Sequence, residues 1–437
     1  MSINKESEVR VLCSTVSRCE GREVTIQGWV HGVRHLGQVA FMDVRDRSGI
    51  VQCVLEGEWL DLSLTLESVV AVHGRAVAAA KAANGIELHA DRVEVLNRAA
   101  SPLPFDLNKK HLKVRLDTML DHRVLSLRHR KAHSIFTIQS ALAGAFREYL
   151  TRHGFTQIFT PKIVASGTEG GSNLFPINYF EHTAYLAQSP QFYKQMMVGA
   201  GYERVFEIGP VYRAEEHNTS RHLNEYISLD AEAGFIQSED ELMDLEQELL
   251  KHMFDAVARQ CEGEFNLLEV DPLALTGDIP RMTVAEAHRI LERKYGKLSP
   301  TGDLDPEGER LLCQYVAEKN RPGFVFLTRY PRESRPLYAM QAEDEPELTA
   351  SFDLLMGGLE ITTGGQRIHE LDQLIASIRS RGMNPEHFQS YLELFRYGMP
   401  PHGGFAIGLE RLTSRLLGLG NVREASAFPR DRNRLTP

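Results

Sequence analysis

Five short apolar runs fill the first hundred residues, at Val24 to Val30, Val39 to Val44, Ile50 to Leu55, Ser68 to Val77 and Ile86 to Val95. Val24, Ile26 and Val30 alternate with polar neighbours, and Ile86, Leu88, Val93 and Val95 do so with one slip; this is the two-residue period of a half-buried strand. Arg47-Ser48-Gly49 separates the second run from the third, and Asn84-Gly85 stands where a tight hairpin requires positive backbone angles. With a brief helical insertion around Trp59 to Leu66, the pattern predicts a five-stranded OB-type β-barrel over residues 1–100. Such a barrel binds single-stranded nucleic acid on one face, and another small barrel satisfies the same strand count.

Pro102 and Pro104 punctuate the end of this module, and a basic hinge follows over residues 101–130. From Ser101 to Lys131 eight Lys or Arg stand against three Asp. The net charge of the chain is -10, so a polyanion would have to be met by such a local patch; a solvated connecting segment reads the same way. Residues 131–437 then change character. Ile135, Ile138, Leu142, Phe146 and Leu150 recur at helical spacing up to Gly154, a helix with one buried stripe and a glycine stop. Ser238 and Glu241 predict a capping box before the stripe of Leu242, Leu245, Leu249 and Met253. Strand-like runs lie at Val205 to Tyr212, Tyr226 to Phe235, Gly323 to Leu327, Ala350 to Leu355 and Phe405 to Leu409. Helices and strands in non-alternating order predict an α+β domain on a mainly antiparallel sheet.

No apolar run approaches the ~20 residues that cross a bilayer, and Met1 to Ser17 is polar and mixed in charge, so the expected location is cytoplasmic. Five scattered cysteines without a C-x-x-C pair exclude a disulfide framework and a thiolate metal site as the organising feature. The phosphate-loop, dinucleotide, zinc-protease and serine-hydrolase signatures are also missing from the sequence. What remains is charge placed beside strands and glycines.

Arg213 falls near the end of the apolar strand Val205 to Tyr212, and a polar loop with Arg221 and His222 separates it from Tyr226 to Glu232. Two strands around such a loop can enclose a ligand, and a guanidinium at a strand end offers a phosphate a rigid fork; a solvated surface hairpin has the same pattern. Gly403 to Leu409 reads as a glycine-rich strand running into a helix at Arg411. A cation there opposes the helix dipole unless an anion, or simply water, compensates it. Ser189 and Pro190 predict a helix start that puts Gln191 and Lys194 on one face. Glu360 and Thr363 lie three apart at a strand end with Arg367 four further on; Glu with Thr suits a hard cation such as Mg²⁺, and Arg suits a carboxylate.

Taken in order, these segments resemble the class II aminoacyl-tRNA synthetases, specifically aspartyl enzymes of the compact archaeal and eukaryotic type. Gly154 to Val164 with Pro161 resembles the family's dimer-forming motif 1, Arg213-Ala214-Glu215 lies in motif 2, and Gly404 to Arg411 resembles motif 3. The segments Ser189-Pro190-Gln191 and Thr168-Glu169-Gly170-Gly171 stand between them. The resemblance implies a homodimer that activates L-aspartate with ATP and Mg²⁺ and transfers it to the 3′ end of tRNA(Asp). It implies that Arg213 holds the α-phosphate and the aspartate carboxylate. Glu215, Arg221, His222 and Leu223 would grip adenine and phosphates, with Gly408 also at the ATP, Arg411 on the γ-phosphate, and Glu360 and Thr363 on the metal. It also implies that Lys194 and Arg367 pair with the aspartate side chain, with Glu169, Gln191 and Asp230 around the ammonium and Thr363 near the amino acid. Two buried cations beside a neutral side chain would be unpaired, which favours aspartate over asparagine.

By the same resemblance the barrel would read the anticodon, with Phe41 as a stacking surface and Gln27, Arg34 and Arg45 as polar contacts. His31 stands where relatives restricted to aspartate tRNA carry tryptophan and relaxed relatives carry histidine, which implies that tRNA(Asn) is also charged; the loop Ala78 to Gly85 lacks the proline frequent in the relaxed group. A strictly tRNA(Asp)-specific enzyme is the first alternative; a tRNA-independent asparagine-forming ligase is a more distant one, and the N-terminal barrel argues against it. A non-catalytic RNA-binding paralogue is another, and the presence of both Arg213 and Arg411 argues against that.

Overall fold

The structure is a computed structural model describing residues 10–62, 64–82, 84–167, 173–216, 219–318 and 323–437. Two compact units divide the chain, one ending at His129 and the other beginning at Arg130. In the first, β1 (Glu23–Leu36), β2 (Val39–Asp46), β3 (Gly49–Leu55), β4 (Val69–Ala78) and β5 (Ile86–Asn97) close a barrel in the order β1-β2-β3-β5-β4. Its interior is built by alternate residues: Ile26, Val30, Ala40, Met42, Val44, Val70, Val72 and Leu88 are fully buried, as the two-residue period requires. Turn chemistry is local, with Gly49 and Gly85 both at positive φ. The helical insertion is shorter than predicted, a single 3₁₀ segment Gly57–Asp61. The basic segment carries two short helices, α1 (Leu116–Asp121) and α2 (Arg123–Ser126), and Arg128 lies 5.4 Å over the Trp29 ring.

The second unit opens with α3 (Arg130–Arg152), whose stripe Ile135, Ile138, Leu142, Phe146 and Leu150 is buried. The two-residue strand β6 (Thr156–Gln157) follows, then a small sheet of β7 (Ile163–Val164), β8 (Pro176–Tyr179) and β9 (His182–Leu186). After α4 (Gln191–Met197) come the hairpin strands β10 (Arg204–Tyr212) and β11 (Glu225–Gly234), then α5 (Glu239–Gln260) and α6 (Glu262–Leu268). Next come β12 (Arg281–Thr283), α7 (Val284–Tyr295), α8 (Pro306–Ala317), β13 (Phe324–Thr328), β14 (Ser351–Met356) and β15 (Leu359–Arg367). The chain finishes through α9 (Leu371–Ser380), α10 (Gln389–Arg396), β16 (His402–Gly408) and α11 (Leu409–Leu416). Eight strands form one sheet, β12-β13-β14-β15-β16-β11-β10-β6. Its pairs are antiparallel except at the two ends, β12 with β13 and β10 with β6.

One face of this sheet packs on α3 and α5 through Phe146, Leu249, Met253, Phe326, Phe352 and Phe405, and the burial of such side chains is the main driving force for the layer. The predicted capping box at α5 takes a different form: Ser238 makes no side-chain cap, and Glu241 instead accepts from the backbone N–H of Gln237 at 2.7 Å. The opposite face of the sheet is left to polar side chains, and it is there that the site forms.

Candidate active site

Strand period places Tyr226, Ser228, Asp230 and Glu232 on one face of β11. The register continues that face across the sheet, Asp230 opposite Ala406 of β16, Ala406 opposite Thr363 of β15, and Thr363 opposite Asp353 of β14. A cleft of 580 Å³ lies over this row.

At its closed end Lys194 reaches in from α4 and is 2% exposed. Its Nζ lies 3.0 Å from Asp230 Oδ1 and 3.2 Å from Glu232 Oε2. Arg367, at the end of β15, donates from Nε to Glu232 Oε1 at 3.1 Å and from Nη2 to the Gly404 carbonyl at 3.0 Å. Gln191 completes the cluster, its amide donating to Glu232 Oε1 at 3.3 Å and its oxygen accepting from Arg367 at 3.4 Å. A Cβ on Gly404 would overlap Glu232 Oε2 and the Ala231 carbonyl, so the glycine of β16 is what lets that carboxylate in. Burial acts to raise the Glu232 carboxyl, and Arg367 and then Lys194 overcome it, leaving the group below the ordinary carboxylate range. Burial holds the neighbouring His402 imidazole at about 4, so it is neutral near pH 7. Two cations thus meet two carboxylates inside the protein. The expectation that Lys194 and Arg367 need an external anion to balance them is corrected by this pairing.

The open end carries the remaining arginines. Arg213 follows β10, its N–H bonded to the Asn224 carbonyl at 2.8 Å and its guanidinium 5.7 Å over the Tyr226 ring. Arg221, in the loop before β11, pairs with Glu309 of α8. Arg411, in the first turn of α11, donates to the Glu360 carbonyl at 3.1 Å and approaches its carboxylate at 3.4 Å. Thr363 donates its hydroxyl to Glu360 Oε1 at 3.1 Å. Glu360 and Thr363 present oxygens on one strand beside three arginines, a donor set suited to a hard divalent cation that shares its other positions with phosphate and water. Beside Arg411, Glu410 is buried and takes the Ile227 N–H on both oxygens, at 3.0 and 3.2 Å; burial pushes its carboxyl up to about 8.

Gln191, Lys194, Arg213, Glu215, Arg221, His222, Leu223, Asp230, Glu360, Thr363, Arg367, Gly408 and Arg411, all predicted from sequence, line this one cleft. Glu169 lies outside the described residues. Helix α4 starts one residue later than predicted, with Pro190 at the cap and the Ser189 hydroxyl accepting from Gln191 N–H at 3.3 Å. Sequence reasoning missed Glu232 and Tyr226, although the two-residue period of the strand through Asp230 marks both. It also missed Arg335, which pairs with Asp353 at 2.7 Å in the cleft wall, and Glu309; neither has a local sequence signal.

In the barrel unit Phe41 is half-buried on the outer side of β2, opposite Arg34 of β1. Arg34 donates to Gln52 at 2.6 Å, and Gln52 donates onward to Glu87 at 2.6 Å. Gln27 lies on the same strand as Arg34, pairing with Ala71 of β4. Arg45 differs from expectation: it is 5% exposed, and its guanidinium holds Glu67 at 2.7 Å and His31 Nδ1 at 3.0 Å. It is a support for His31, withdrawn from any ligand.

Comparison with known proteins follows this geometry closely. Residues 115–432 match the family model of class II tRNA synthetases (D, K and N), and residues 24–96 match that of the OB-fold nucleic acid binding domain. The chain is 52% identical to the aspartate–tRNA(Asp/Asn) ligase of Thermus thermophilus over 98% of its own length and 100% of the relative's. It is 47% identical to the aspartate–tRNA(Asp) ligase of Pyrococcus abyssi over 95% and 97%. Among solved structures, asparaginyl-tRNA synthetase from Pyrococcus horikoshii with asparaginyl-adenylate superposes with a TM-score of 0.90 at 31% identity, covering 98% of this chain and 100% of that one. A five-stranded closed barrel, a catalytic unit that matches the family model over residues 115–432, and relatives matched over nearly their whole length together place the chain in the class II aminoacyl-tRNA synthetases, in the group serving aspartate, lysine and asparagine.

Proposed function

We propose that this chain is an aspartate–tRNA ligase, forming aspartyl-adenylate from L-aspartate and ATP and transferring the aspartyl group to the 3′ end of tRNA(Asp). The observation that carries this reading is the convergence of Lys194 and Arg367 at the closed end of a cleft whose open end holds Arg213, Arg221 and Arg411. A dicarboxylic amino acid fits the first set and a polyphosphate the second. Lysine has three donors and no acceptor, and arginine five and none. An asparagine amide would turn its own N–H groups toward these donors, so selectivity for aspartate follows from donor geometry even though the protein balances the charges. Asp230 and Gln191 suit the substrate ammonium, with Glu169 as a further contact.

In the reaction a carboxylate oxygen of aspartate attacks the α-phosphorus and pyrophosphate leaves. Arg213 bridges the α-phosphate and that carboxylate, Arg221 and His222 hold the outer phosphates, and Arg411 meets the γ-phosphate. Glu215, Leu223, Tyr226 and Gly408 enclose the nucleotide. Catalysis is positional and electrostatic, with no protein nucleophile. Glu360 and Thr363 would hold Mg²⁺, which when bound neutralises charge on the phosphates. Phe159 and Ile163, in the stretch resembling motif 1, are 83% and 49% exposed; their exposure supports a homodimer with that stretch at the interface, in a cytoplasmic enzyme.

ATP–pyrophosphate exchange with each amino acid tests the activation step. Exchange with aspartate alone is expected, and exchange with asparagine or lysine instead would defeat the assignment. For the tRNA, we infer charging of both tRNA(Asp) and tRNA(Asn). Support comes from His31 on the barrel, held by Arg45, which Glu67 holds in turn, with Phe41, Arg34 and Gln27 as the neighbouring anticodon contacts. Aspartate transfer to a tRNA(Asn) transcript is the deciding assay, and its absence with tRNA(Asp) transfer intact selects the strictly tRNA(Asp)-specific reading.

A further inference from the structure

Arg221, at the open end of the cleft, is held by a carboxylate that none of the three family motifs supplies. Glu309, in the first turn of α8, pairs with Arg221 across 88 residues of chain. Their side chains are 13% and 20% exposed, which sets the pair apart from the surface ion pairs of the same unit. Burial outweighs the opposing pull of Arg221 and lifts the Glu309 carboxyl to about 7, and the charges of Glu360 and Arg411 are both felt there. Burial and then the Arg221 charge lower Arg415, so a second guanidinium stands near Arg221.

The two partners are held very differently. Helix α8 is rigid: Asp305 caps it by accepting from Gly308 N–H at 2.8 Å, and Leu312, Cys313 and Val316 are buried beneath it. Arg221 sits on a loop tied by the Thr219 hydroxyl, 3.1 Å from the Arg221 N–H, and by Val422 N–H on the Ser220 carbonyl at 2.9 Å. A loop arginine left to itself carries rotamer freedom that phosphate binding must remove. A fixed carboxylate removes that freedom in advance. A guanidinium has five N–H donors, so one edge can stay on a carboxylate while another meets a phosphate oxygen.

We propose that Glu309 is a positioning residue for adenylate formation, presetting the Arg221 guanidinium for the ATP polyphosphate from outside the family motifs. The proposal rests on the reading of Arg221 as an ATP contact. The test is ATP–pyrophosphate exchange with wild type, E309Q, E309A, R221A and the E309A/R221A double variant, reading KM for ATP and for aspartate, together with thermal unfolding. E309A is expected to raise the ATP KM about tenfold with the aspartate KM changed less than about twofold. E309Q, whose amide oxygen still accepts, should fall between wild type and E309A. In the R221A background the E309A change should add nothing. A lower ATP KM in E309A and E309Q would mean that the carboxylate competes with the polyphosphate, and would overturn the proposal. Independent multiplication of the two single effects, or equal shifts in both KM values with a lowered Tm, would also overturn it. R221A with an unaltered ATP KM would end the reading of Arg221 and this inference with it; a raised KM in R221A with E309A and E309Q silent would end this inference alone.

Discussion

At the closed end of the cleft the ion pairs are nearly dry, Lys194 with Asp230 at 2% and 2% side-chain exposure and Arg367 with Glu232 at 7% and 0%. At the open end Arg411 and Glu360 are 28% and 36% exposed. Removing a charge from water costs several kcal/mol per ion, so the closed end exists only because each cation has an internal carboxylate at hydrogen-bond distance. That cost is met once, during folding, and both cations are then fixed in place by internal acceptors. The open end keeps Arg411 partly solvated on the comparably exposed Glu360 carboxylate, and Arg221 on Glu309. Such an end suits a group that enters as triphosphate and leaves as pyrophosphate, whereas the dry end suits a choice between two side chains that differ by an amide.

The comparison predicts that equal truncations at the two ends have unequal effects on folding. K194M leaves Asp230 and Glu232 with half their compensation, and should abolish aspartate-dependent exchange by about a thousandfold or more. The same change should cost about 3–5 kcal/mol of stability in urea denaturation. R411A should lower kcat for exchange by about a hundred- to a thousandfold, yet its stability should stay within about 1 kcal/mol of wild type because the pair it breaks is half-solvated. Equal losses of stability in the two variants would show that the ends are not built differently.

Much of this was legible because the signals are local. The barrel strands follow from a two-residue period and from turns at Gly49 and Gly85, and α3 from an apolar stripe with a glycine stop; neither needs a distant partner. The motif residues could be read because each charge sits against a strand or glycine run that stays regular in the fold. What could not be read is pairing across the chain. Arg45 looks like a surface cation until Glu67, itself buried, is brought to it from beyond β3. Glu232 was open to the period argument, but its role as shared counter-ion depends on Arg367, 135 residues away. Glu241 matches a capping box by spacing, and the backbone at Gln237 takes its carboxylate instead.

A third variant carries the comparison to the face of the barrel that bears Phe41 and Arg34. Phe41 is half-buried beside the chain Arg34, Gln52 and Glu87. Base stacking on an aromatic ring is worth about 1–3 kcal/mol, so F41A should lower kcat/KM for tRNA about tenfold and leave ATP–pyrophosphate exchange at the wild-type rate. A loss in exchange would mean that Phe41 supports the fold, and an unchanged tRNA reaction would remove it from the anticodon surface.

The smallest effect sharpens the contrast between compensated and uncompensated burial. Glu232 and Glu246 are both fully buried, but Glu232 has Arg367 and Lys194, while Glu246, on α5 behind the sheet, has the Thr362 hydroxyl near it and the Asp353 charge working against it. Burial therefore wins at Glu246 and lifts its carboxyl from 4.5 to about 8. Between those values the folded protein keeps a proton that the unfolded chain has released, so stability falls as pH rises through the window. At Glu232 the sign is opposite: the folded value is depressed, its contribution is present above the unfolded value, and it is lost as acid protonates it. One proton is worth about 1.4 kcal/mol per pH unit, so wild type should lose about 1 kcal/mol more than E246Q between pH 7 and pH 8 in urea denaturation. Glu410 titrates in the same window, but it is present in both proteins and cancels from the difference. Parallel pH profiles for E246Q and wild type would show that water or a partner compensates Glu246 after all, and that a buried carboxylate behind this sheet does not need a cation to stay charged.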